Sequence, residues 1–443
     1  MKALRAGALL IAIGVAQGAV AGPATLPGDN LATPEQKALD ARTIRIFNDP
    51  SFQKRLKEAE AQFAADPLAA SPEAKADIAA DAAAIAFNEL QIAADEDPGR
   101  PALIWSGDAP HDWFGMKVPF ASYGLNNPDN IYRIVPIDGA AKYEISGHMS
   151  GAAPAQTTYF LYNSVPGDGS GPIDEPIGGI LGKDLKVGAD GSFTITIDAD
   201  TPDGQAGNHI RSRPDAKLLV VRESLADWAR ETPARLTIRR VSGPTPKPGP
   251  DDAAVADRAL DLQKRLIAFW LKYASPMMFG QPANTASKPN ARGGKWGYTA
   301  NGHFEIAPDE AVVVTLDPAS AAYVGFQLAD IWAIPFEFVH HTASLTNGQA
   351  KPNPDGTLTY VIAARDPGVW NWLDTTGHLA GVFGIRWQNL ANDVSIAGAV
   401  REIKRVKLAD LPRILPAGTA QVGGAQRTEQ LNARVASWER RLR

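Results

Sequence analysis

The chain has 443 residues, more than one domain's worth, and 44% are hydrophobic against 21% charged, which excludes wholesale disorder and a single small module. Its 44 basic and 49 acidic side chains leave a net charge of -5, so nothing electrostatic points to nucleic acid. With no cysteine, disulfides, thiolate metal sites, iron–sulfur clusters and cysteine nucleophiles are excluded together.

Residues 1–21 read as a secretory signal: Lys2 and Arg5 form a basic start, Ala8 to Val15 an apolar run, and Ala19-Val20-Ala21 a small-residue cleavage site. The mature protein is therefore expected to be exported, periplasmic or secreted. The apolar run is too short for a bilayer and no later stretch approaches that length, so no membrane span is expected.

Residues 22–98 form an alanine-rich region with clear helix punctuation. Thr33-Pro34-Glu35-Gln36 predicts a capping box with proline in the first turn. Phe52, Leu56, Ala59 and Phe63 recur at helical spacing up to Asp66-Pro67, and Ser71-Pro72 opens a third helix with Ile78, Ile85 and Ile92 on one stripe. These stripes are short, and the chain's own body is the expected packing partner.

After Pro98-Gly99 the pattern becomes short alternating runs between turn signals, and the 40 glycines and 34 prolines fit many such turns. The reading is a first β-sandwich-like unit over 99–241, a proline-rich linker over 242–250, a helix over 251–275, a second β unit over 276–415 and a helical tail over 416–443. The fold class is thus mainly β with accessory α: two tandem β-sandwich or jelly-roll-like units plus an N-terminal helical region.

The second unit repeats the plan of the first. Asp190-Gly191 opens a strand, a polar loop with Asn208-His209 follows, and Leu218 to Arg222 ends the motif; Asp355-Gly356, Asn371-Trp372 and Val382 to Arg386 do the same. The span from aspartate to arginine is 32 residues in one unit and 31 in the other. Tyr132 to Ile145 likewise resembles Phe304 to Leu316. A tandem duplication would place the natural ligand site in the groove between the units.

Candidate chemistry is densest in Arg365 to His378, which concentrates carboxylates, an imidazole, an amide and two indoles between two strands. Asp374 and His378 are the candidate acid/base pair, with Asp366 as a third catalytic candidate. Trp370 and Trp372 are suited to stacking on a sugar or aromatic ring, and Arg386, Asn371 and Asp330 are further substrate-binding candidates. The competing assignment has the indoles plugging a sandwich end and the polar groups serving loop backbone.

No spacing is diagnostic of a metal. His340 and His341, adjacent on a strand, would point to opposite faces, and only His303 and Glu305 share one, so no cofactor is expected; the alternative is a hard or borderline metal ion held by His303 and Glu305 with His340 or His341 and His378. There is also no G-x-S-x-G elbow, H-E-x-x-H, P-loop or dinucleotide fingerprint.

Phe326 to Trp332, Ser344 to Ala350, Asp355-Gly356, Asp366-Pro367-Gly368, Asn371 to Asp374, Gly377-His378 and Arg386-Trp387 resemble, in that order, the bacterial family catalogued as domain of unknown function 1214. Asn127 to Tyr132 also looks like a segment of that family. The resemblance implies two β-sandwich-like units with accessory helices, makes the Asn371–His378 segment and Arg386 the most characteristic positions, and implies no reaction. Two functions compete: an exported hydrolase or lyase acting on a small organic or glycosidic substrate at a cleft lined by residues 365–386, and a non-catalytic periplasmic ligand-binding or assembly protein. In the second, the N-terminal helices serve association; a homo-oligomer is the partner state considered, beside a small-molecule or glycan substrate.

Overall fold

A computed structural model describes residues 31–168, 175–200, 207–246, 248–293, 296–391 and 394–442. The signal expected over residues 1–21 lies outside them. Three helices open the described chain, α1 (Pro34–Phe47), α2 (Pro50–Ala64) and α3 (Pro72–Ala94). Each has an oxygen-bearing cap, Thr33, Asp49 or Ser71, accepting from free backbone N–H groups of its first turn. The predicted capping box is half formed, because the Gln36 amide turns away to pair with the backbone of Trp105 and with Asp40. Phe52, Leu56, Ala59, Phe63, Ile78, Ile85 and Ile92 are buried as their periodicity requires.

The first β unit comprises β1 (Asn130–Pro136), β2 (Lys142–His148), β3 (Gln156–Tyr162), β4 (Gly178–Leu181), β5 (Ser192–Asp198), β6 (Asn208–Arg211), β7 (Leu218–Ser224) and β8 (Arg235–Ser242). The second comprises β9 (Gly297–Glu305), β10 (Glu310–Leu316), β11 (Tyr323–Ala329), β12 (Ser344–Thr346), β13 (Leu358–Ala363), β14 (Trp372–Asp374), β15 (Ala380–Gln388) and β16 (Val400–Lys407). One sheet of the first unit runs β1-β7-β3-β4 and its counterpart runs β9-β15-β11-β12; the opposing sheets run β8-β2-β5-β6 and β16-β10-β13-β14. Every strand therefore has an equivalent eight positions later. Even the exception repeats, since β5–β6 and β13–β14 are the parallel pairs among these antiparallel ladders. Short strands add to the edges, Ile104–Ser106 beside β1 and Thr285–Ala286 beside β9.

In each unit apolar side chains from both sheets meet. Val135, Tyr143, Ile145, Leu161, Ile195 and Val221 fill the first core, while Val312, Val314, Phe326, Tyr360, Phe383 and Ile385 lie in the second. The other face of the β1 sheet is covered as well: Tyr132, Ile134, Phe160 and Val220 pack with Leu39, Ile92 and Leu262. Burial on both faces explains why β1 and β3 are buried at all seven positions, where alternation would be expected of a half-exposed strand.

Between the units α4 (Asp252–Phe269) continues into a π-helical turn, Trp270–Ala274, and α5 (Ser275–Phe279). Val255, Ala259, Leu262 and Leu266 of the predicted stripe are fully buried, but Phe269 is half-buried and Tyr273 is 56% exposed. The π turn begins after Phe269 and carries Tyr273 off the core. After β16 come α6 (Leu411–Ile414) and α7 (Gly424–Glu439). From α7 and the turn after it, Arg434 and Arg441 reach under both units and flank Trp228 at 4.3 and 4.7 Å.

The cross-strand register corrects part of the repeat as read from sequence. Arg222 stands opposite Tyr132, and Arg386 opposite Thr299, so Tyr132 matches Thr299 rather than Phe304. The segments at Asn208 and Asn371 are short parallel edge strands rather than loops, because three or four residues are too few for a readable period.

Candidate functional site

The 365–378 segment divides into separate duties. Asn371 donates to the carbonyls of Lys351 and Thr359 at 2.8 and 2.9 Å and accepts from the N–H of Lys351 at 2.8 Å. Asn208 makes the same three bonds, to Lys186 and Thr194. The amide is a clamp for the parallel edge strand, present in both units. Asp366 accepts from Gly368 N–H and forms an ion pair with Arg427 of α7 at 3.0 Å. Trp370 donates its indole N–H to Gln349 O, and Trp372 to Ala363 O, while Lys351 and Arg427 lie over their rings.

Asp374 and His378 do not form the expected pair. Asp374 accepts from Thr376 N–H at 2.8 Å and binds Nδ1 of His341 at 2.7 Å. His378 stacks on Phe336 and directs Nε2 to Asp77 of α3 at 3.3 Å. The Asp77 hydrogen bond holds its imidazolium form above the usual histidine range. Glu73, Asp77 and Asp81 lie four residues apart on one face of α3. Glu73 accepts from Leu379 and Ala380 N–H, and Asp81 shares a hydrogen bond with Asp330. The turn that looked catalytic is where the third N-terminal helix docks on the second unit.

Asp330 is buried and caps its own turn, accepting from Trp332 and Ile334 N–H at 2.8 and 2.9 Å. Burial, with the charge of Asp77 nearby, pushes its carboxyl up to about 7 and Asp81 upward with it. His340 and His341 lie in a bend rather than on a strand. His303, with Glu305 at 4.0 Å, is buried with a ring nitrogen on Met278 O. Among the described residues no three histidine or acidic side chains converge as a metal cluster.

Of the eight predicted site residues, Arg386 alone lines the cavity, about 370 Å³ in volume, that lies between the two units. Ligand sites commonly span roughly 300–1,000 Å³. The first unit supplies Tyr132, Ile134, Tyr162, Val220 and Arg222; the second supplies Thr299, Asn301, Arg386 and Gln388. Asn88 and Ile92 of α3 form another side, and Phe269, Trp270, Tyr273, Met277 and Met278 form the roof. Trp270 is seated by its N–H bond to Tyr123 O and by Gly124, whose φ is +94°. A Cβ there would lie 2.4 Å from the indole.

Arg222 and Arg386 hold matching positions on β7 and β15. Arg222 donates to Tyr162 Oη at 2.7 Å, with the Tyr132 ring 5.9 Å away. Arg386 donates to Gln327 Oε1 and to Leu125 O at 2.8 Å. Sequence reasoning missed Arg222, Trp270 and the tyrosines. The signal for Arg222 was present in the repeat, which aligned it with Arg386.

No family model and no curated protein matches the chain. Among solved structures, an uncharacterized protein from Burkholderia cenocepacia is similar at 25% identity, with a TM-score of 0.63 over 84% of this chain and 100% of that one. A second, the VPA0106 protein from Vibrio parahaemolyticus, has 11% identity and a TM-score of 0.39 over 64% of this chain and 90% of that one. Among the described residues no helix is long and apolar enough to cross a membrane.

Proposed function

We propose that this protein binds a small organic molecule in the cavity between its β units and that the 365–378 segment is framework. The observation that carries the reading is the convergence of both units, α3 and the π-helical turn on one apolar space with a few polar groups. The Asp374, His378 and Asp366 side chains each bond to a partner outside the expected pair, which supports the framework reading of this segment.

The test is binding of the uncharged fluorophore N-phenyl-1-naphthylamine to the purified protein. One saturable site is expected, lost in Thr299→Trp, which fills the cavity, and retained in Asp374→Asn and His378→Ala. Absence of saturable binding, or binding indifferent to Thr299→Trp, contradicts the proposal.

A further inference from the structure

We infer that the cavity selects an amphipathic organic anion, its acid group held between Arg222 and Arg386 and its apolar body lying toward the π-helical roof. The inference rests on the binding reading above and adds the chemical class of the ligand.

Charge is the first argument. The walls carry three arginines, Arg222, Arg292 and Arg386, and no aspartate or glutamate, although the chain as a whole has more acidic than basic residues. Among the described residues neither Arg222 nor Arg386 forms an ion pair; their acceptors are a tyrosine hydroxyl, an amide oxygen and a backbone carbonyl. Both side chains are half-buried. A guanidinium removed from water without a counter-ion is costly, and a bound anion would offset that cost.

Geometry is the second. A guanidinium carries five N–H donors in a planar fork suited to carboxylate, sulfonate or phosphate. Arg222 uses one of its donors on Tyr162 and Arg386 uses two, which leaves donors on both for an anion. The two arginines sit at equivalent strand positions in the two units, line the same cavity and both act electrostatically on the Tyr123 hydroxyl, which places them around one region of it.

A bare inorganic ion suits this lining poorly. The same lining includes Ile92, Phe269, Trp270, Met278, Ile134 and Val220, and such a surface gives no stabilisation to a fully hydrated ion. Tyr273 and Met277 are 56% and 47% exposed at the same roof, which presents apolar surface to an entering ligand.

The experiment compares two probes with the same aromatic body. 8-Anilinonaphthalene-1-sulfonate carries the acid group, and N-phenyl-1-naphthylamine lacks it. The sulfonate is expected to bind about tenfold more tightly at low salt. Arg222→Gln and Arg386→Gln should each weaken it by about that factor, several-fold more than they weaken the neutral probe. Raising ionic strength from about 0.02 to about 0.3 M on the wild-type protein should weaken the sulfonate alone, a readout independent of any variant's folding. Displacement of the sulfonate by decanoate identifies aliphatic acids as ligands, and displacement by 1-naphthoate alone identifies aromatic ones; either outcome supports the inference. Equal affinity for the two probes, or no salt dependence, overturns the anion assignment and leaves the binding site standing. Failure of both probes to bind overturns the site itself.

Discussion

Asn208 in the first β unit and Asn371 in the second make the same three backbone bonds, and Asp190 and Asp355 close the same turns on Ser192 and Thr357. The sheet faces that meet across the cavity are less alike. The first offers Tyr132, Ile134, Tyr162 and Val220; the second offers Thr299, Asn301 and Gln388. What the two units share is framework, with one exception, the arginine that both turn into the cavity. What differs between them makes the first unit's share of the lining richer in aromatic and aliphatic side chains than the second's, and a lining that mixes apolar surface with polar groups suits an amphipathic ligand.

The comparison breaks most visibly inside the units. The first unit buries an ion pair, Arg133 with Glu223, where the second has Ala300 and Trp387 at the matching register. Removing one partner strands a buried charge, so Glu223→Ala should cost about 3–5 kcal/mol in urea unfolding. A cost below about 1 kcal/mol would mean the pair is solvated in solution.

The asparagine clamps come next. Asn208→Ala and Asn371→Ala each leave three backbone groups without their partner and should destabilise by about 2–4 kcal/mol, similarly in the two units. An Asn371→Ala protein of native stability would restore that residue as a candidate for ligand chemistry.

Acidity offers a graded effect. Burial raises the carboxyl of Glu89 to about 8, Asp330 to about 7 and Asp40 to about 6, all on or beside the N-terminal helices. Groups raised on folding bind more protons in the native state, so stability is greatest below their unfolded values and declines as pH climbs through the folded ones. Thermal unfolding should therefore shift upward by several degrees between pH 8 and pH 5, and Glu89→Gln should flatten the upper part of that rise. A midpoint that falls over this range contradicts the burial of these groups.

Asp374→Asn and His378→Ala should have the smallest effects, about 1 kcal/mol or less, because their partners His341 and Asp77 are partly exposed. Loss of turnover of any substrate without loss of stability would reinstate them as chemistry.

Much of the frame is legible in the sequence because local rules dictate it. Thr33, Ser71 and the prolines after them mark helix starts, and the Asp-Gly turns with the 32- and 31-residue spacings mark the repeat. Sequence reasoning settles on the 365–378 segment for a physical reason: the residues that clamp an edge strand or cap a turn, Asn371, Asp366 and Asp374, are the same polar types that perform catalysis. Composition cannot tell a committed hydrogen bond from a free one. The cavity escapes detection because its walls come from positions as far apart as Asn88 and Gln388 and from a π turn that shifts helical register without a sequence signature.

The most direct measurement is a crystal structure of the protein grown with 8-anilinonaphthalene-1-sulfonate. The account predicts the naphthalene under Trp270 and Met278, with the sulfonate between Arg222 and Arg386. Probe density against the 365–378 segment, with the cavity holding none, would contradict it.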